Sequence, residues 1–400
     1  MSKTAYSKIY SREVDVEQLL ALYGNHSIED SINILKDIPD HIRQMVSLDI
    51  QCPSCGVEGA VLVSGAKSKS TAKSLRQAHF RFTSNSNEDA HRPFCEFSPS
   101  DNDSPNVSEL IDFGSARSHE TRVIRDMVCK GIEAKIFDQS DIRAMRQWFF
   151  DLKSANTYRL TASVDTLTFL YHLAVTNPHD SFIHHPSHAS IPGFNWKYAA
   201  RLKMTQINSD LIKATQGFSL LNNKAEASKL INRYKDTEVF NVEPLEPYYD
   251  KTIELCTFLA RALGFPAKAW VNYRWGKVPS ALLAFCSLLL SVSAWEINNS
   301  IQKLALILES PEPQSSLHGN VIGLNPFTDY SAWKAIKKIS ELESKFETHF
   351  DFNTELEIIE NNLKEEYLQW RRDNGLSEQI SLPSAQQHAI PQVAPENPFV

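Results

Sequence analysis

Residues 278–295, VPSALLAFCSLLLSVSAW, carry no charged side chain. A helix built from such a run has no polar face to turn toward water, so it must be covered on every side, either by lipid or by other protein. Four serines interrupt the run and Pro279 opens it. The helical register then continues into EINNSIQKLALILES, where charged residues return. These features predict a core helix over 279–309 inside a helical body, and a membrane-associated assembly protein is the alternative reading.

A chain of 400 residues exceeds one ordinary core and predicts two or three domains. With 42% apolar and 22% charged residues it has the composition of a globular protein and not of a disordered one. The net charge of -7 excludes a surface coated in basic residues, although it leaves room for a local basic patch. Of six cysteines, Cys129, Cys256 and Cys286 stand singly in apolar helical patterns, as buried free thiols do, so no disulfide framework is expected. The opening MSKTAYSKIYSREVD lacks the apolar centre of a signal peptide, and the expected location is cytoplasmic. In a reducing compartment a CxxC pair signifies metal or redox chemistry.

The predicted fold class is mainly α, with a small β-rich zinc-binding module near the N-terminus followed by a multi-helix body. Residues 1–45 read as N-terminal helices, from the helical spacing of Val16, Leu19, Leu20, Leu22 and Tyr23 and then of Ile28, Ile32, Ile34 and Leu35, with breaks at Gly24 and Pro39. Residues 46–97 form the zinc module: VSLDIQC alternates, CPSCG is a turn, VEGAVLVSG is β-branched and QAHFRF alternates again. SPSDNDSPNVS, 98–108, is made of turn formers and reads as a linker. The body, 109–377, carries the stripes Val123, Ile124, Met127, Val128, Ile132 and Ile142, Met145, Phe149, Leu152. Further helices are predicted over 197–234, 249–264 and 328–349, and Leu356, Ile359, Leu363, Tyr367 and Trp370 make a near-heptad stripe suited to pairing with the preceding helix. The tail from 378 to 400 reads as disordered, and its last residues, ENPFV, offer a docking peptide anchored by Phe399.

Within QCPSCGVEGAVLVSGAKSKSTAKSLRQAHFRFTSNSNEDAHRPFCEF, 51–97, Cys52 and Cys55 sit on one turn, stiffened by Pro53 and released by Gly56. Zinc takes four such ligands in a tetrahedron, and a CxxC turn supplies two thiolates at once. The second pair comes from His79, His91 and Cys95. His91 and Cys95 form an H-x3-C pair, whereas His79 lies on a strand-like segment beside the knuckle, so the residues alone leave the fourth ligand open between the two histidines. No βαβ pattern surrounds the CPSC, which argues against a thioredoxin-like redox pair.

CPSCG, a β-rich stretch, AHF, a further cysteine and then SHETRVIRDMV resemble the N-terminal part of the competence protein CoiA-like family, over about 80 residues. The resemblance implies a zinc knuckle with Cys52, Cys55, His79 and Cys95 as ligands and His91 as a neighbour. Members of that family resemble nucleases of the restriction-endonuclease type, in which a helix acid, an Asp and an (Asp/Glu)-x-Lys on adjacent strands hold magnesium. This chain offers Glu120, Asp126 and Glu133-Ala134-Lys135, but those residues fit one amphipathic helix over 117–136. Zinc is therefore carried over from the resemblance and catalysis is not. A magnesium nuclease of a DNA-handling or phage-defence system is the enzyme alternative, which a strand hairpin at 120–140 would favour.

Between Val61 and Thr83 stand five basic residues, Lys67, Lys69, Lys73, Arg76 and Arg81, with no acid among them, a composition suited to phosphate contact as well as to a solvated loop. AWVNYRWGK, 269–277, has the aromatic and basic character of a base-stacking surface but reads more simply as core aromatics with a charged rim. His179, Asp180, His184, His185 and His188 cluster in a Pro-rich stretch that reads as an exposed loop, since nothing around them supplies the rigidity a second metal site needs. No phosphate loop, G-x-S-x-G or H-E-x-x-H motif occurs. The leading expectation is an intracellular zinc protein whose module contacts DNA, RNA or a protein partner, with the helical body or the tail as an interaction platform.

Overall fold

The computed structural model describes residues 4–24, 38–64, 66–67, 74–76, 78–84, 88–95, 97, 118–175, 183–214, 220–264, 278–314, 325–345 and 351–376. Among them are thirteen α-helices and a few short antiparallel strand pairs, so the chain is mainly α with a small β module near the N-terminus. By contacts it divides into two discontinuous units, Met1–Thr161 with Ala225–Lys338, and Ala162–Lys224 with Ile339–Val400. The stretches expected to be linker, 98–108, and disordered tail, 378–400, lie outside the described residues, as do Ile28, Ile32, Ile34 and Leu35 and the run 269–277.

The first unit opens with strands β1 (Thr4–Ser7) and β2 (Arg12–Asp15), where the sequence pattern suggested helix from residue 12. The helix begins four residues later because Asp15 and Gln18 form a reciprocal cap: Gln18 N–H donates to Asp15 Oδ1 at 2.8 Å and Asp15 N–H to Gln18 Oε1 at 3.0 Å. Helix α1 (Val16–Gly24) follows, then α2 (Asp40–Asp49), and β3 (Ile50–Gln51) joins the sheet in the order β2-β1-β3. Asp49 ties these pieces together. It accepts from Ser7 Oγ at 2.6 Å, the Ile9 N–H at 2.8 Å and Tyr23 Oη at 2.7 Å, so its buried carboxylate is well hydrogen-bonded. Strands β4 (Ala60–Val63) and β7 (His79–Phe82) pair antiparallel, and β5 (Ala66–Lys67) pairs with β6 (Ser74–Arg76) between them. Residues 1–45 and 46–97, separate segments in the sequence reading, share one core that runs from Ala5 through Leu19, Val46, Cys52 and Phe80 to Phe97.

Helix α3 (His119–Glu133) is continuous and starts at Ser118, whose hydroxyl accepts the Thr121 N–H at 3.1 Å. Helix α4 (Gln139–Ala155) starts with a capping box in which the Asp138 and Asp141 side chains each accept the other's backbone N–H. Strand β8 (Thr157–Arg159) later pairs with β9 (Glu238–Phe240). Helices α9 (Glu246–Ala262), α10 (Ser280–Ser291) and α11 (Ile297–Glu309) complete the core of the unit. Every residue of α10 from Ala281 to Leu290 is buried, and α3, α4, α9 and α11 pack around it. No helix of the described residues is long and apolar enough to cross a membrane. The run does not continue as one helix to 309: Ala294 and Trp295 take left-handed backbone conformations, φ 53° and 62°, and the Trp295 N–H closes the end on Leu290 O at 2.7 Å.

The second unit contains α5 (Val164–Val175), a 3-10 turn (Pro186–Ser190), α6 (Trp196–Ile207), α7 (Ser209–Ala214) and α13 (Phe352–Asp373). Helix α8 (Leu220–Tyr234) and α12 (Tyr330–Lys345) each cross the division. The stripe of α13 buries Phe352, Ile359, Leu363 and Tyr367, and its main partner is α6 rather than the helix before it. Glu343 staples the start of α5 by accepting from the Ser163 N–H, Ser163 Oγ and Thr166 Oγ1.

The β1–β2–β3 sheet is fixed to α4 by buried charge. The register sets Glu13, Tyr6 and Gln51 side by side across three strands. From α4, Arg146 pairs with Glu13, and Arg143 donates to Gln51 while its guanidinium lies 4.0 Å above the Tyr6 ring. Glu13 and Arg146 are both about 5% exposed or less, so losing one partner strands a charge away from water. Glu13→Ala is expected to lower unfolding stability by roughly 3–5 kcal/mol, whereas Glu13→Leu combined with Arg146→Met recovers most of the loss. Denaturant midpoints of the three proteins check this.

Candidate metal centre

The knuckle is a closed turn. Cys52 N–H donates to Val57 O at 2.8 Å and Gly56 N–H to Cys52 O at 3.1 Å, which folds Cys52 and Cys55 to the same side. Gly56 has φ +70°, a left-handed conformation that a side chain would strain. The other two ligand positions are reached through the turn after β7. Ser84 N–H donates to Glu88 O at 2.9 Å, Thr83 and Asp89 form a bridge, and Ala90 N–H returns to Phe82 O at 3.2 Å, which carries His91 back beside the strand. Phe94 takes φ 66°, and Cys95 N–H closes on Arg92 O at 3.2 Å, so Cys95 turns inward behind His91.

These two turns bring Cys52, Cys55, His91 and Cys95 together, with all four ligand atoms within 4.8 Å of one another, the sole such group among the described residues. Cys52 Sγ lies 3.7 Å from Cys95 Sγ, and His91 Nδ1 lies 3.5 Å from Cys55 Sγ and 3.4 Å from Cys95 Sγ. A tetrahedron with bonds of about 2.3 Å to sulfur and about 2.05 Å to nitrogen has edges of roughly 3.8 Å between sulfurs and roughly 3.6 Å between sulfur and nitrogen. The donor set and its spacing fit a tetrahedral metal ion. The thiols are free and buried. Burial pushes Cys52 up, while hydrogen bonds from Cys52 and Cys95, joined by His91 and the Arg92 amide, hold Cys55 far below the usual thiol range. The pocket thus favours one thiolate even before a cation is counted. The His91 ring is fixed between Phe82, at 5.1 Å edge-on, and Phe97, stacked at 6.4 Å.

No family model, curated protein or solved structure matches the chain.

His79 is not part of the group, although the resemblance to the CoiA-like proteins implied it. Successive residues of a strand face opposite ways. On β7, Phe80 and Phe82 share one face and Phe82 touches His91, so His79 shares the other face with Arg81. His79 is buried there, in register with Val63. The H-x3-C spacing of His91 and Cys95 was the signal that located the ligand.

Of the basic residues, Arg81 is exposed on β7 opposite Val61, while Lys67 and Arg76 lie on the β5–β6 pair, which has a bulge at Ala66/Lys67. Lys69 and Lys73 fall outside the described residues. Glu120, Asp126 and Glu133 lie on the continuous α3 and not on a hairpin, and at about 1.5 Å rise per residue neighbours in that series are some 9–10 Å apart along the axis. Asp126 pairs with Arg125, and Glu133 accepts the Gln314 N–H. Cys129, Cys256 and Cys286 are buried free thiols, as their apolar settings suggested. His179 and Asp180 lie outside the described residues, and His185 and His188 belong to the 3-10 turn of the second unit.

His91→Ala is expected to abolish metal binding, whereas His79→Ala leaves one bound ion per chain. Metal-to-protein ratios of the two variants, measured after identical purification, distinguish the ligands.

Proposed function

We propose that this protein is a zinc-stabilised binding protein in which Cys52, Cys55, His91 and Cys95 hold a structural ion and the module around it presents a contact surface to nucleic acid. The observation that carries the reading is the match between the sulfur and nitrogen spacings and the edges of a Cys3His tetrahedron. All four positions are filled by protein ligands, which is the closed form of a structural site and leaves no place for substrate. Bound zinc would supply cross-linking and charge neutralisation, not chemistry. Kinship with the CoiA-like proteins belongs to the proposal at the level of the knuckle, with His91 in the place that the family pattern gives to a histidine before the second turn.

The surface reading rests on the basic run from Lys67 to Arg81, which interrupts β4 and β7 at the margin of the module and contains no acid. Such a surface would bind phosphates with little regard for base sequence. The enzyme alternative, a magnesium nuclease, is not favoured, because its acids lie along one helix.

Protein purified without metal supplements is expected to contain one zinc per chain by elemental analysis. Cys52→Ser should bring the ratio near zero and lower the unfolding midpoint, since the ion's binding energy is part of the module's folding energy. A ratio near zero in the parent chain would remove the proposal.

Binding to single-stranded or duplex nucleic acid is expected to weaken with salt by about 0.7 to 0.9 in the logarithm per phosphate contact. Reversing the charge at Lys69 and Lys73 should flatten that slope while zinc content and melting stay unchanged. A chain retained by neither DNA nor RNA at low salt would shift the contact role to a protein partner.

A further inference from the structure

Three histidines of the second unit are held in ways that require them to be uncharged. They flank the 3-10 turn Pro186–Ser190, which packs on α13. His185 Nδ1 accepts the Ser187 N–H at 3.2 Å and lies 2.8 Å from Ser187 Oγ. His188 Nδ1 accepts the His185 N–H at 3.2 Å. Each imidazole caps the turn with the lone pair of its Nδ1, which exists only while that nitrogen carries no proton. Protonation sets N–H against N–H at both caps. In His184 both ring nitrogens are shut off from solvent and neither has a hydrogen-bond partner, with Phe194 at 5.5 Å and His188 at 6.0 Å between ring centres.

The far side of the turn covers an aromatic pair. Ser190 Oγ lies 3.5 Å from the hydroxyl of Tyr367 on α13, and the Tyr367 ring stands 5.8 Å from Trp196 at the start of α6. Tyr367 is buried under this arrangement. The charged groups facing His184 are Glu366 from α13, which favours its protonated form, and Lys203 from α6, which with His188 and His185 disfavours it. Burial is the largest influence and lowers its pKa.

We propose that residues 183–190 form an acid-released latch, in which protonation of His185 and His188 frees the 3-10 turn from α13 and uncovers the Tyr367–Trp196 pair. The closed form binds fewer protons than the open one, so its stability is complete above the ordinary imidazole range near pH 6.5 and is lost as the pH falls below it. One unit below that range each cap costs about tenfold in the closing equilibrium, and the two together about a hundredfold.

Amide hydrogen exchange of the full chain at pH 7.5 and 5.5, normalised for intrinsic exchange, tests the latch. The amides of His188 and Ile191, which close the turn on His185 O and His188 O, are expected to lose about a hundredfold in protection at the lower pH while those of α10 keep theirs. In H185N/H188N an amide oxygen replaces each Nδ1 as acceptor and nothing titrates, so the loss should disappear. In H172F it should persist, since His172 stacks on Phe352 elsewhere in the unit. Should the double variant be open at both pH values, imidazole titrations of the parent chain decide, with midpoints for His185 and His188 expected below 6.5. Equal protection at both pH values in the parent chain, an undiminished loss in a closed H185N/H188N, abolition by H172F, or midpoints at or above 6.5 would each overturn the latch.

Discussion

A helix with no polar face dictates how the first unit is built. From Ala281 to Leu290 every side of α10 is buried, so α3, α4, α9 and α11 are recruited around it, and the loops that connect them must reach all sides of one cylinder. Its polar atoms are then the difficulty, since a buried carbonyl without a donor costs as much as a lost hydrogen bond. Ser287 Oγ donates back to Leu283 O at 2.7 Å. At the C-terminal end Ser300 Oγ, Lys303 Nζ and Lys251 Nζ donate to Leu289 O, Val292 O and Trp295 O, so two cations sit where the helix dipole is negative. The left-handed pair Ala294 and Trp295 completes the stop, and the Trp295 ring packs with Trp148, Phe149 and Tyr248 at 4.6 to 5.8 Å. Contact energy of these rings offsets the backbone conformation that non-glycine residues rarely adopt.

The N-terminal module solves the opposite problem. Its strands are two to four residues long and could not persist as isolated ribbons. Three kinds of constraint hold them: the carboxylate of Asp49, which collects donors from β1, the following turn and α1; the pairing of Glu13 with Arg146 on α4; and the gathering of three thiols and an imidazole at the knuckle. The last two are adjacent through Gln51, which precedes Cys52 and accepts from Arg143. A cation at the knuckle would therefore stiffen the same piece of chain that the arginines of α4 hold in place.

Charged groups are used here for registry as much as for stability. Arg143 and Arg146 recognise the row Glu13–Tyr6–Gln51, which exists only when the three strands are aligned as observed. A slip of one residue would present the opposite sheet face to α4 and leave those guanidinium groups unpaired. In the second unit Glu343 has a comparable part, since a single carboxylate collects the donors at the start of α5.

The sequence by itself determined the helical character of the body, the burial of 280–291, the continuity of α3 and the knuckle thiols, because periodicity, capping residues and a CxxC turn are local properties. The caps at Asp15–Gln18 and Asp138–Asp141 are local too, and their residues stand at the expected spacing. Tertiary structure decided what depends on faces and partners. His79 and His91 were equivalent as residue types, and the choice fell to His91 because strand alternation sends His79 to the face away from Phe82 while the turn at Phe94 folds Cys95 behind His91. Residues 12–15 became a strand because β1 offered a partner, and 294–295 broke a register that continued in the sequence because aromatic rings and a lysine awaited Trp295 there. The histidines of 184–188 had the composition of an exposed loop, and became buried caps because α13 lies against them.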